Sequence, residues 1–251
     1  MSSPPSPSDR RHPPEDKFDF HIDALDADDE KYRDFYHHVS VHQDSYVPLA
    51  EHHSANGVHS YYVLFDRSAT YGHPGDPHLL AVHLRRDEAK ATFDYEYAQL
   101  PLVPMAQSWL IHRGCPAEKI GISHEIGPRP ADEMTRALER RLVSDGDCFA
   151  MGLSYTEDDP DDMVTLVVLR ALDERAPSPY RVLVEEADVD LRTYTLREGG
   201  FNTVEEARHW YTERLSGRAG PLPPVRPTSA SPTQSAMPAK PPAARPPGRL
   251  F

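Results

Sequence analysis

Histidine is the residue type that first suggests chemistry, because the chain of 251 residues contains 14 of them. His38 and His42 are four residues apart, so on a helix both rings would face one side and could share a metal ion. Asp66 closes an apolar strand, a position where hydrolytic metals often find a carboxylate ligand. Together with His52, these residues are the candidate ligands of a divalent metal such as zinc: His38, His42, His52 and Asp66.

Two features of the sequence speak against this metal hypothesis. A zinc protease of the His-Glu-x-x-His type needs a glutamate directly after the first histidine, whereas Val39 follows His38. The histidines can equally be polar residues that flank the apolar side of a helix. A second group, in the loop from His73 to His78, matches no metal-binding pattern, and its glycine and prolines favour a solvated turn.

Acidic residues provide another candidate for chemistry at the end of a predicted strand: Glu185, Glu186, Asp188 and Asp190. Carboxylates on neighbouring strands can hold magnesium or transfer protons. They can also be neutralised across the strands by nearby arginines: Arg181, Arg192 and Arg197. We expect charge pairing rather than catalysis here.

Other reaction classes have little support. Cys115 follows the end of a predicted helix, where the dipole disfavours a thiolate, and its distance from Cys148 does not fit a Cys-x-x-Cys motif. The sequence lacks the glycine-rich phosphate-binding motifs and the Gly-x-Ser-x-Gly motif of serine hydrolases. It therefore predicts no cofactor, with a divalent metal as the alternative.

The charge distribution restricts the partners. The net charge is −13, yet the stretch 217–251 holds five basic and no acidic residues. Phosphate backbones and anionic membranes attract basic surfaces, so we expect no membrane binding and at most weak nucleic-acid binding through the basic tail. No secretory signal or long apolar run is present, which favours a cytoplasmic protein, and the Arg-rich, Ile-poor composition favours a bacterial source.

The elements that position these residues follow from hydrophobic periodicity and turn signals. The pattern predicts an α+β fold with a mainly antiparallel sheet. We expect two or three N-terminal strands (60–66, 78–86, 91–97) and about four C-terminal strands (148–156, 163–172, 180–186, 191–197). About four helices are expected to pack on them (28–43, 101–113, 131–143 and one from Thr203).

Proline-rich, polar sequence occupies both ends of the chain, where too little apolar surface is available to offset the entropy of ordering. We therefore expect disorder in residues 1–17 and in the basic tail 217–251. Residues 18–216 are predicted to form a single domain, with a sub-boundary near 125–130.

These patterns favour a non-enzymatic cytoplasmic protein that acts through protein–protein contacts in a regulatory or accessory role. A protein partner is therefore expected, and the sequence does not define the oligomeric state. The alternative is a metal-dependent hydrolase that uses the N-terminal histidines and Asp66.

Overall fold

The computed structural model describes residues 18–226, apart from 70–72, 74, 124, 146–147, 160–161 and 174. Within these residues the fold is α+β, as predicted, with four α-helices and two sheets. No helix in the described part of the chain is long and apolar enough to cross a membrane.

The first half of the chain forms a four-stranded antiparallel sheet between two helices. Its strands are neighbours in sequence order, as expected for short hairpin connections. The elements are α1 (Asp29–His38), β1 (Tyr46–His53), β2 (His59–Asp66), β3 (Leu79–Asp87), β4 (Thr92–Leu100) and α2 (Val103–Ile111).

The second half repeats this plan around a five-stranded sheet with the order β5-β9-β8-β7-β6. Only the short β5 runs parallel to its neighbour, whereas the other described pairs are antiparallel. The elements are β5 (Arg129–Pro130), α3 (Glu133–Asp145), β6 (Phe149–Asp159), β7 (Asp162–Ala171), β8 (Tyr180–Asp188), β9 (Thr193–Phe201) and α4 (Val204–Leu215). The predicted sub-boundary near 125–130 falls where the chain enters this sheet.

Each sheet buries both faces, because consecutive residues of a strand point to opposite sides. In β2, Tyr62 packs with Phe35 of α1, while the next residue, Val63, packs with Leu110 of α2. In the second sheet, Leu183 packs on the α3 side and Val182 packs near α4. The order of layers is therefore α1, first sheet, α2 with α3, second sheet and α4.

The first helix is shorter than the predicted range of 28–43. Helix α1 ends at His38, and a 3-10 helix, Ser40–Ser45, follows it. The hydroxyl of Tyr46 donates a hydrogen bond to the Val39 carbonyl at 2.7 Å. This buried carbonyl therefore has a hydrogen-bond partner even though the α-helix does not continue past it. His38 and His42 consequently do not occupy successive turns of one helix.

Strand β1 was not predicted. It contains Pro48, and its pairing with β2 shifts register between Pro48 and Ala50. Because β1 is an edge strand of its sheet, it tolerates a proline and a bulge that would interrupt a central strand. The sequence signal for an edge strand of this kind is correspondingly weak.

The last helix begins at Thr203, as predicted, with a capping box. Thr203 accepts a hydrogen bond from the Glu206 amide at 3.2 Å. The Glu206 carboxylate reaches back to the amide of Asn202 at 3.1 Å, one residue before the cap.

Residues 217–226 pack against the second sheet, although we expected them to belong to a disordered tail. Besides the bonds of Gly217 and Arg218 to the end of α4, three hydrogen bonds hold the part from Gly220 onward: Gly200 N to Pro223 O (3.0 Å), Trp210 Nε1 to Gly220 O (3.0 Å) and Arg226 N to Ser178 Oγ (3.1 Å). Leu222 joins the apolar cluster below α4. The packed region thus extends to Arg226, whereas the disorder predicted for 1–17 and 227–251 lies outside the described residues.

Truncation tests this extended boundary. We expect residues 1–226 to melt at the temperature of the full chain. Residues 1–216 should melt about 4–8 °C lower, because removing Leu222 and the three hydrogen bonds costs about 2 kcal/mol. Circular dichroism melts of the three chains measure the difference, and equal melting temperatures would show that the segment contributes nothing to stability.

Candidate functional site

The structure separates the predicted metal ligands. The His38 ring stacks on Tyr97, with centroids 5.6 Å apart, and its Nδ1 lies 3.0 Å from the Asp34 carbonyl oxygen. His52 lies on β1, a strand that the sequence did not predict, and stacks on Tyr61 at 6.1 Å. Both rings therefore have aromatic neighbours in the sheet.

His42 and Asp66 lie nearer to each other, because both contact Ser68. Asp66 accepts from the Ser68 amide at 2.8 Å and from its hydroxyl at 2.6 Å, and His42 Nδ1 lies 3.5 Å from the same hydroxyl. Among the described residues, no three His, Cys, Asp or Glu side chains form a group that could hold a metal ion. The geometry gives the metal hypothesis no support, and it stays a prediction.

The acidic cluster is divided by the sheet. Glu186 pairs with Arg214 at 2.5 Å, and Asp188 accepts from the Leu191 amide at 2.8 Å. The three expected arginine partners bind elsewhere: Arg181 to Glu198, Arg197 to Asp132, and Arg192 to the Glu125 carbonyl. The expected cross-strand pairing with arginine therefore does not neutralise Glu185.

The side chain of Cys115 is buried. Burial, with a smaller contribution from Glu118, raises the pKa of its thiol to about 11. This shift disfavours the thiolate that nucleophilic catalysis needs.

A cavity of about 540 Å³ lies between the inner faces of the two sheets. The first sheet contributes apolar wall residues such as Val47 and Phe65, and the second contributes Met163 and Ala187. The helices line only part of the cavity: among the described residues α3 contributes Glu139, and α2 contributes Val103 and Gln107 at its first two turns. The space that the helices leave open between the sheets is the cavity.

Polar residues line the floor of the cavity, on the second sheet. Thr156, Thr165 and Glu185 are direct cross-strand neighbours on β6, β7 and β8, so their side chains share the inner face. The Thr165 hydroxyl lies 3.4 Å from that of Thr156. These polar residues continue a face that is apolar deeper in the sheet, where Val167 and Leu183 pack below α3.

Two carboxyl groups meet in this cavity. Glu185 extends from β8, and Glu139 extends from α3 and accepts a hydrogen bond from the Tyr194 hydroxyl. Burial, with repulsion from Glu139, raises the pKa of Glu185 to about 8. Burial raises the pKa of Glu139 to about 7, although Arg136 and Arg140 oppose the shift. Both shifts favour retention of a proton by the pair near neutral pH.

An unpaired histidine belongs to the same cavity. His78 is 4% exposed, so the structure corrects its expected place in a solvated turn. Its ring stacks on Phe65, with centroids 5.2 Å apart. Neither ring nitrogen has a hydrogen-bond partner among the described residues. A buried polar group without a partner is costly, which marks His78 as a residue with an unmet contact.

Comparisons with protein-family models, with curated proteins and with solved structures found no match. Inference about function therefore depends on the geometry of this chain.

Sequence reasoning missed Glu139 and His78. Glu139 lies four residues after Thr135 and three before Leu142, both buried, so it shares the inward side of α3. The sequence signal that could have identified Glu139 is a carboxylate at helical spacing from the buried residues of α3. For His78, proline and glycine around it indicated a turn and said nothing about burial against the opposite sheet.

The carboxyl pair predicts a pH dependence of stability. Both pKa values lie above the ordinary 4.5 of a glutamate, so the folded chain binds protons more tightly than the unfolded chain. The stabilisation is complete below pH 4.5 and is lost as pH rises through 7 and 8. Replacing both residues with neutral glutamine, E139Q/E185Q, should remove this loss.

Melting temperatures between pH 6.5 and 9 measure the effect. We expect the wild type to fall by about 3 °C more than E139Q/E185Q over this range, which corresponds to about 1 kcal/mol. E186Q, which alters the adjacent acid on the opposite face, is the control and should follow the wild type. Measurements start at pH 6.5 because burial lowers the pKa of His83 to about 4, which affects stability below that range. Parallel curves for wild type and E139Q/E185Q would contradict the assignment.

Proposed function

We propose that this protein binds a small organic molecule in the cavity between its two sheets. The observation that carries the proposal is the coincidence of an open apolar space with two polar groups, Glu185 and His78, that have no hydrogen-bond partner among the described residues. The space, about 540 Å³, is within the range of ligand-binding pockets.

The chemistry of the lining supports binding rather than a packing defect. Voids left by imperfect packing are apolar and small, whereas this cavity presents two carboxyl groups, a phenol and an imidazole. Such groups are expensive to keep inside a protein unless something contacts them. A ligand with an apolar body and a polar group would satisfy both kinds of wall.

The exposed part of the lining provides a route in. Ile126 and Val189 are about half exposed, at 49% and 54%, and Arg192 is exposed beside them. These residues lie in the segment before β5 and in the turn between β8 and β9, so a ligand can enter without opening either sheet. The protein–protein function predicted from the sequence stays a prediction.

A neutral fluorescent probe tests the cavity. N-phenyl-1-naphthylamine brightens in apolar surroundings and is small enough for this volume. We expect the full chain to bind it, and A187F, which places a phenyl ring in the cavity, to weaken binding about tenfold or more. A137F, at an exposed position of α3, is the matched control and should bind like the wild type.

Two results would refute the proposal. One is failure of the folded wild-type chain to bind the probe. The other is equal probe affinity in A187F and the wild type, because the probe would then occupy another surface. Circular dichroism of each variant confirms that the comparison is made between folded proteins.

A further inference from the structure

The charges around the cavity do not balance. The described lining contains three acids, Glu139, Glu185 and Asp188, and one arginine, Arg192. Arg192 is exposed and donates to the Glu125 carbonyl at 3.2 Å. The inner wall of the cavity therefore carries acid groups without a cation.

The cations nearest to Glu139 are engaged elsewhere. Arg136 and Arg140 lie on the same helix, and both pair with Glu133, at 3.3 and 2.8 Å. Glu139 receives one hydrogen bond, from Tyr194. Glu185 receives neither a cation nor a hydrogen-bond donor from any described residue.

The same face of the same sheet shows how an acid is neutralised when the chain supplies the charge. Glu198, 9% exposed, lies between Arg181 at 3.1 Å and Arg141 at 2.6 Å. Leaving an inward-facing acid without a cation is thus not a general property of this sheet. It occurs where the sheet faces the cavity.

From this juxtaposition we infer that the cavity binds a protonated organic amine, with its ammonium group at Glu139 and Glu185. The inference rests on the proposed function and names the class of ligand. The ammonium would supply the missing charge and up to three donors. The apolar body of the amine would lie against the wall formed by Val47, Phe65 and Leu79.

Other ligand classes fit less well. A metal ion needs more ligands than the described residues bring together at one point. An anion would be repelled by Asp188 and by the negative charge that the pair carries once one of its carboxyls is ionised. A neutral molecule would leave that negative charge without a cation. The His78 ring, which has no hydrogen-bond partner among the described residues, is a second and independent observation that a polar contact is missing from this cavity.

Binding should be coupled to protons. An ammonium favours the ionised pair, so an amine that binds near pH 7.5 should displace the proton that the pair holds. The titratable or charged groups that face the pair are Tyr194 from β9, His78 before β3, Arg136 and Arg140 on α3, and Asp188 and Arg192 at the turn after β8. We expect the released proton to come from the Glu139–Glu185 pair and not from any of these neighbouring groups.

Three probes of nearly equal shape separate charge from size: phenethylamine, 2-phenylethanol and phenylacetate. Each is measured by its displacement of N-phenyl-1-naphthylamine from the full-length chain at pH 7.5. We expect phenethylamine to bind about tenfold or more tightly than 2-phenylethanol, as one or two charge-assisted hydrogen bonds would give, and phenylacetate to bind most weakly. Calorimetry in phosphate and in Tris should show proton release with the amine and none with the alcohol.

Variants assign the preference to the pair. In E139Q/E185Q the advantage of the amine over the alcohol should fall to about twofold or less, while the naphthyl probe still binds. E186Q, on the opposite face of the same strand, should keep the wild-type preference.

The outcomes distinguish this inference from the proposed function. Equal affinity for amine and alcohol in a wild-type chain that still binds the naphthyl probe would overturn the amine inference alone. An amine preference that survives E139Q/E185Q would also overturn it. Loss of all probe binding in the wild type would overturn both.

Discussion

The central constraint on this fold is that two sheets, each buried on both faces, share one layer of helices. Helices α2 and α3 contain nine and thirteen residues, so they cover only part of the facing sheet surfaces. Where they meet both sheets, Met105 and Leu142 join Val167 and Leu183 in a dry core. Where they do not, the sheets remain apart, because the helices packed between them elsewhere set a separation wide enough for a helical layer. The cavity is a consequence of this geometry.

The shared helical layer also explains which side chains have shifted pKa values. A residue on the inner face is either covered by a helix or faces the cavity. Leu183 and Glu185 are two residues apart on β8 and point the same way, yet one lies in the core and the other lines the cavity. Polar groups placed in a confined space of low polarity acquire shifted pKa values, as Glu185 does.

The sequence predicted the architecture better than the site. The fold class and seven of the strands follow from alternation and turn residues, which are local signals. The edge strand with Pro48 was missed because its local signal is weak. The cavity depends on contacts between residues that are far apart in sequence, such as Glu139 and Glu185, and no periodicity relates α3 to β8. Histidine count drew attention to His38 and His42, whereas the buried and unpartnered histidine is His78.

A cavity persists only if its walls do not collapse into it. One contact between the first half of the chain and the second sheet opposes such a collapse. The loop before β3 crosses to the second sheet, where the Thr156 amide donates to the Gly75 carbonyl at 3.1 Å. Gly75 has a φ of +93°, and a Cβ there would overlap the Tyr155 ring, so a glycine is required for this approach. Three residues later, His78 lines the cavity. This contact fixes the loop to the second sheet three residues before His78, so the approach of the two sheets and the position of the imidazole are linked.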